Sequence, residues 1–235
     1  MYLINGFKVF TDAHMPVTHE EGDRYPLKPP INRPALVRVL LFKTMSNIFL
    51  CSDHHFHHQN ILTFKREDGS PLRVFNDVNH MNEYIVYQHN RTVGPKDKVY
   101  FLGDVTMSRN TIGLQILGRM NGEKILIKGN HDLASASAYL THFKDIRGTH
   151  QLDGLILSHI PIHPESLSRW KCNVHGHLHA NRVMKAVEAG KFTTDGSGKV
   201  IDERYQSVCM EQLDDYTPIS LEQMKSRMRK AGLIS

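Results

Sequence analysis

Apolar residues along the chain fall into short blocks, and nearly every block ends at a glycine or an acid. Asn47–Cys51 (NIFLC) is an apolar run that stops at Ser52-Asp53, and it predicts a buried strand. Asp77–Val93 places Met81, Tyr84, Ile85 and Gln88 at helical spacing and closes at Gly94-Pro95, a strong stop. Lys98–Leu102 (KVYFL) predicts a second strand ending at Gly103-Asp104. Arg109–Met120 sets Ile112, Ile116, Leu117 and Met120 on one helical face, and Lys124–Lys128 (KILIK) predicts a third strand before Gly129-Asn130. Strand, helix, strand, helix, strand is a pair of crossover units, and hence a largely parallel inner sheet.

Later strands are expected at Leu155–Ser158, Lys171–His175 and Gln206–Glu211, with a tight turn around Gly196 and Gly198. Ser220 and Gln223 form a capping box for a last helix over Leu221–Ala231. The segment before this alternation is different. Pro16, Pro26, Pro29, Pro30 and Pro34 disfavour regular structure. Three regions are therefore expected: a Pro-rich arm over 1–46, a main folded domain over 47–220 and a basic C-terminal helix over 221–235.

Composition narrows the class. With 235 residues, 40% of them apolar, the chain suits one folded domain with appendages. It has no apolar stretch near the roughly 20 residues of a membrane helix, and its opening lacks the basic start of a secretion signal. Cys51, Cys172 and Cys209 are too few for a disulfide framework. A cytoplasmic protein without membrane attachment is the expectation. A net charge of +5 permits attraction to phosphorylated substrates without identifying a nucleic-acid binder.

Sixteen histidines invite a search for metal sites, and their spacing decides the matter. Asp53-His54-His55 follows the first strand, Gly103-Asp104 the second, and Gly129-Asn130-His131-Asp132 the third. Ser158-His159 and Gly176-His177-Leu178-His179 follow later apolar runs. In an open α/β sheet these strand ends converge on one edge. Carboxylate oxygen with imidazole nitrogen suits hard-to-borderline divalent cations, and a pair of them about 3.5–4 Å apart needs a bridging carboxylate.

These segments, SDHH, LGD, KGNHD, LSH and HGHLH, resemble in order the motifs of the calcineurin-like metallophosphoesterase superfamily. SDHHFHHQNI, the Arg73/Phe75 segment, YFLGDV and GEKILIKGNHD look closest to its small bacterial and phage members. The resemblance spans roughly residues 46–220. It implies a layered α/β sandwich, with two packed mixed sheets flanked by helices. It also implies two divalent transition-metal ions, Mn²⁺ first, with Fe, Zn²⁺ or Ni²⁺ as alternatives. Carried over motif by motif, the first metal takes Asp53, His55, Asp104 and His179. The second takes Asp104, Asn130, His159 and His177, with Asp104 bridging.

The implied reaction is hydrolysis of a phosphomonoester or phosphodiester, nucleotide-like in kind, by metal-activated water. His131 would assist the leaving oxygen, Asp132 would orient the site or else cap the following helix, and His58 and Arg73 would reach substrate together with Asn130. Arg73 has the competing reading of a surface salt bridge. The remaining histidines read as surface or packing residues, and Asp12-Ala13-His14 as an imitation of the first motif. Val105-Thr106-Met107-Ser108 departs from the Asp-Arg-Gly of the protein-phosphatase branch, which disfavours a phosphoprotein substrate. A nuclease and a ligand-depleted scaffold of the same fold are the rival readings; the complete ligand set disfavours the second.

Overall fold

A computed structural model describes residues 2–4, 7–9, 46–107, 111–188, 190–191 and 193–235. The chain divides into two compact units, Met1–Lys43 and Thr44–Ser235. In the first, β1 (Tyr2–Ile4) pairs antiparallel with β2 (Phe7–Val9). Asp12, His14 and the proline-rich stretch lie outside the described residues.

The second unit is α/β and carries two mixed sheets. Its larger sheet has five strands: β3 (Ile48–Cys51), β4 (Lys98–Phe101), β5 (Glu123–Ile127), β6 (Asp145–Arg147) and β13 (Ile219–Ser220), in the order β13-β3-β4-β5-β6. β3 to β6 run parallel and β13 is antiparallel at the edge. The other sheet holds β7 (Thr149–Leu152), β8 (Leu155–Ser158), β9 (Cys172–His175) and β12 (Tyr205–Ser207), ordered β12-β9-β8-β7. A separate hairpin pairs β10 (Met184–Ala186) with β11 (Lys199–Ile201).

Both sheets feed one apolar core. Leu50, Phe101 and Leu126 from the first meet Leu157 and Val174 from the second in the same buried cluster. Each inner strand shows the continuous burial of a sheet covered on both faces, so apolar runs rather than alternation mark it in the sequence.

Helix α1 (Val78–Thr92) begins where Asp77 accepts the His80 amide hydrogen bond at 2.8 Å. It buries Met81, Ile85 and His89, one turn apart each, in the core face. The expected helix over Arg109–Met120 is shorter. Helix α2 covers Thr111–Leu114 and tightens into a 3₁₀ turn over Gln115–Arg119, and the residues before Thr111 back to Ser108 are outside the described set. Gly113 and Gly118 lower helix propensity there. The change of pitch leaves Ile112 exposed while Leu114, Ile116, Leu117 and Met120 are buried.

Short helix α3 (Ala136–Tyr139) is capped by Ser135, so Asp132 is not its cap. Helix α4 (Leu221–Lys230) has the capping box of Ser220 and Gln223, and it sends Met224 and Met228 into the core. The expected strand Gln206–Glu211 ends at Ser207, because the chain then crosses between sheets. Val208 donates its amide to His175 O at 2.9 Å, and Met210 donates to Ser52 O at 3.1 Å. Among the described residues no helix is long and apolar enough to cross a membrane.

Candidate metal centre

The site is built where β3, β4, β5, β8 and β9 end. Past β3, Asp53 donates its amide to Gly103 O and His55 donates to Asp104 O, each at 3.0 Å, so the first two motifs are laced main chain to main chain. Gly103 turns at φ +90°, and a Cβ there would stand 2.6 Å from Gly129 Cα. Glycine is what lets the β4 and β5 loops touch. Asp53, His55, Asp104, His177 and His179 all have φ between +50° and +69°. That left-handed region costs an L-residue on the order of 1–2 kcal/mol, and such strain clusters at functional sites.

Two groups of donors result. Asp53, His55 and His179 form one, and Asp104, His159 and His177 the other; within each group the ligand atoms lie within 4.8 Å of one another. Each carboxylate has one oxygen pinned and one free. Asp53 Oδ2 accepts from the His177 amide at 2.9 Å and from Cys209 Sγ at 3.2 Å, while Oδ1 is buried without a hydrogen bond. Asp104 Oδ1 accepts from the His131 amide at 2.8 Å, leaving Oδ2 at 3.3 Å from His159 Nε2 and 3.7 Å from His55 Nε2. One oxygen of Asp104 therefore faces donors of both groups.

The imidazoles are aimed by their far nitrogens. His159 Nδ1 donates to Leu102 O at 2.7 Å, so in the neutral ring the Nε2 lone pair meets Asn130 Oδ1 at 2.9 Å and Asp104 Oδ2. In this orientation of the Asn130 amide three acceptors face one point, an arrangement that a proton or a cation between them would satisfy. His179 Nδ1 donates to Glu211 Oε1 at 3.1 Å, which leaves Nε2 toward Asp53. His55 is buried with neither ring nitrogen hydrogen-bonded. Orphaned buried acceptors in a shell of oxygen and nitrogen, with no thiolate aimed inward, fit two divalent cations.

The electrostatics agree. Burial pushes the Asp53 carboxyl up, but the surrounding imidazoles of His55, His179 and His159 outweigh it and hold the group below the carboxylate range. Asp104 is likewise lowered: burial opposes, and the His159 hydrogen bond wins. Burial would lower His159 and His179, yet the hydrogen bonds from Asp104 and Glu211 raise them.

The other expected site residues separate. Asn130 and His131 are exposed at the mouth, with the His131 ring 5.8 Å from that of His55. The His58 ring lies 5.5 Å from His55 and 5.6 Å from Phe64; burial, with His55 nearby, lowers its pKa to about 4, so it is neutral at physiological pH. Asp132 is buried and accepts the amides of Asp104, Val105 and Gly129 at 2.8–3.0 Å, so its carboxylate positions the β4 and β5 loops rather than reaching substrate. Arg73 is neither a phosphate clamp nor a surface salt bridge. Its guanidinium is buried, pairs with Glu211 at 2.7 Å, and donates to His54 O at 2.8 Å and Asp53 O. It holds the loop of Asp53 and His55 from behind. His54, His89 and His175 are buried packing residues, His54 stacking on Phe101 with ring centroids 4.9 Å apart.

Glu211 was not among the expected site residues, and nothing in its local pattern marks it. Burial raises its pKa, but the charge of Arg73 and the His179 hydrogen bond bring it down to about 2. A depressed folded pKa gives stability that is full above the unfolded carboxyl value of about 4.3 and is lost as pH falls through about 2. Glu211→Gln is expected to remove that acid-side dependence, to cost about 3–5 kcal/mol by stranding a buried guanidinium, and to weaken metal affinity about 10–100-fold. Urea unfolding at several pH values and metal titration measure these. Unchanged metal affinity would show that His179 does not need Glu211 to be aimed.

Two recesses open beside the centre. One, of about 450 Å³, is lined by Phe64, Lys65, Arg66, Leu72, His177 and His179 among others. The other, of about 370 Å³, is lined by Lys128, Asn130, Thr149, His159 and Ile160 among others.

No family model matches the chain. A protein of unknown function from Aquifex aeolicus, AQ665, has a crystal structure that aligns with 77% of this chain and 99% of its own at a TM-score of 0.53. At 23% identity that likeness concerns the fold alone. Over 142 residues the chain is 32% identical to the uncharacterized protein MJ1445 of Methanocaldococcus jannaschii, covering 60% of this chain and 73% of that one. By that identity and coverage, this chain belongs to the same protein family as MJ1445.

Proposed function

We propose that the chain is a binuclear-metal phosphoesterase of the calcineurin-like type. The observation that carries this reading is Asp104, whose free oxygen lies 3.3 Å from His159 in one donor group and 3.7 Å from His55 in the other. A shared carboxylate between two three-donor clusters is the arrangement that a pair of divalent ions requires. Such ions, once bound, would supply positive charge to a phosphoryl group and lower the pKa of water.

The chain's own residues account for the rest. Asn130 and His131 stand at the exposed mouth, where a phosphoryl oxygen and a leaving oxygen would lie. His131 is the group to hold or deliver a proton at the leaving oxygen, and its main-chain bond to Asp104 ties it to the two donor groups. Lys65 and Arg66 in the larger recess suit anionic substrate, and Phe64 offers a ring face for a base. These features support a nucleotide-like ester.

The test is turnover of bis(p-nitrophenyl) phosphate by protein stripped with a chelator and then resupplied with Mn²⁺, Fe²⁺, Zn²⁺ or Ni²⁺. Activity should vanish on stripping and return with about two ions bound per chain. Binding of two ions without turnover of any phosphoester would overturn the enzymatic reading while leaving the metal centre standing.

A further inference from the structure

Helix α4 carries four cations, of which only Lys225 has an ion pair among the described residues. Lys225 pairs with Asp153 at 2.6 Å and with Glu222 at 3.1 Å. Arg227 and Lys230, one turn apart on one face, instead line a cavity of about 440 Å³ together with Arg182, Glu203, Ser207 and Gln212. The same two side chains border an adjoining recess of about 240 Å³.

The larger cavity has three cationic side chains against one acid. That acid, Glu203, touches Arg182 only at 4.0 Å. Arg227 is half-buried, and its guanidinium has no hydrogen bond or ion pair among the described residues. Burial lowers its pKa; Asp214 in the smaller recess works against this, and Arg182 adds to it. A partly desolvated guanidinium beside a second one is unfavourable unless an anion joins them. Among the neutral groups around the cations, the Ser207 hydroxyl accepts from the Cys209 amide and keeps its proton for an oxyanion, whereas the amide protons of Gln206 and Gln212 go to Glu203 and to His179 and Ala180.

We propose that this cavity is a binding site for a small phosphate-bearing anion, held by Arg182, Arg227 and Lys230. The forked guanidinium of Arg227 matches two phosphate oxygens, and Lys230 adds a point charge. Gln212 gives the site a link to the metal centre. This residue lines the cavity, and its Nε2 donates to His179 O at 3.1 Å and Ala180 O at 2.7 Å, on the loop that carries two of the candidate metal ligands. The site is distinct from that centre: none of its cationic residues is a candidate metal ligand.

The experiment is thermal unfolding of the full chain, stripped of metal with a chelator, in inorganic phosphate against chloride at matched ionic strength. Adenosine monophosphate is a second arm. Phosphate should raise Tm saturably, by roughly 5–10 °C at about a hundredfold excess over Kd. A response to the nucleotide alone would assign the phosphate to an organic donor; a response to both, to the phosphate group itself. Arg227→Met should abolish the shift while leaving the phosphate-free Tm equal or higher, since an unpaired buried charge is replaced by an apolar chain of similar length. Arg229→Ala, which removes the same charge from an exposed neighbour, should keep the shift. Lys230→Ala should weaken apparent affinity about tenfold and serves if Arg227→Met does not fold. No shift with either ligand, a shift that survives Arg227→Met, an equal loss in Arg229→Ala, or a lower phosphate-free Tm in Arg227→Met would each overturn the proposal.

Discussion

Asp104→Asn is expected to reduce turnover by about 10³-fold or more and to weaken both metals together, an effect larger than the 10–100-fold typical of residues that only support a ligand. The substitution is nearly isosteric. Asn Oδ1 can still accept the His131 amide that Asp104 Oδ1 accepts at 2.8 Å, so the loop between β4 and β5 keeps its main tie. What disappears is the charge on the oxygen that faces His159 and His55 at once. Every other acidic or imidazole donor belongs to a single group. Changing His177, half-buried at the edge of one group, should therefore hurt one metal first, whereas Asp104→Asn should show loss of both in one titration. Metal stoichiometry and kcat at saturating Mn²⁺ check this. Near-normal turnover there would remove Asp104 from its bridging role.

His131→Ala separates binding from chemistry. The ring is exposed and outside both donor groups, while its amide, which the substitution retains, makes the bond to Asp104. The variant should bind two ions and fold normally, and yet lose turnover by about 10²–10⁴-fold, the range of a positioned proton donor or charge-stabilising group. The loss should be greater for a poor leaving group than for p-nitrophenolate, which departs without a proton. An equal loss on both would point to charge stabilisation on the phosphoryl group. Loss of an ion would make His131 a ligand.

Much of this centre was legible because its donors sit immediately after apolar runs. Asp53, Asp104 and Asn130 follow β3, β4 and β5, and parallel strands bring their ends to one edge whatever the details of packing. Arg73 and Glu211 were not legible, for a physical reason. Their pairing closes 138 residues of sequence, and burial, which turns a surface salt bridge into the brace behind Asp53, is a property of the folded chain alone. Glu211 also lies beyond the point where β12 stops, in a crossing between sheets that an apolar run does not reveal. Ile112 shows the same limit in the other direction: helical spacing assumed a regular pitch, and the segment changes pitch after Leu114.

The left-handed backbone of Asp53, His55, Asp104, His177 and His179 carries an evolutionary consequence. Once an ion no longer rewards those five side chains, selection is left with the backbone geometry alone. The replacements that relieve it are glycine and asparagine; valine, isoleucine and threonine, whose branched Cβ crowds that conformation, are shut out. A descendant of this fold that has abandoned metal should therefore bear a signature at these positions, a drift toward glycine and asparagine rather than toward alanine or the aliphatics. Such a drift would mark the former centre in a sequence that had lost every histidine in it.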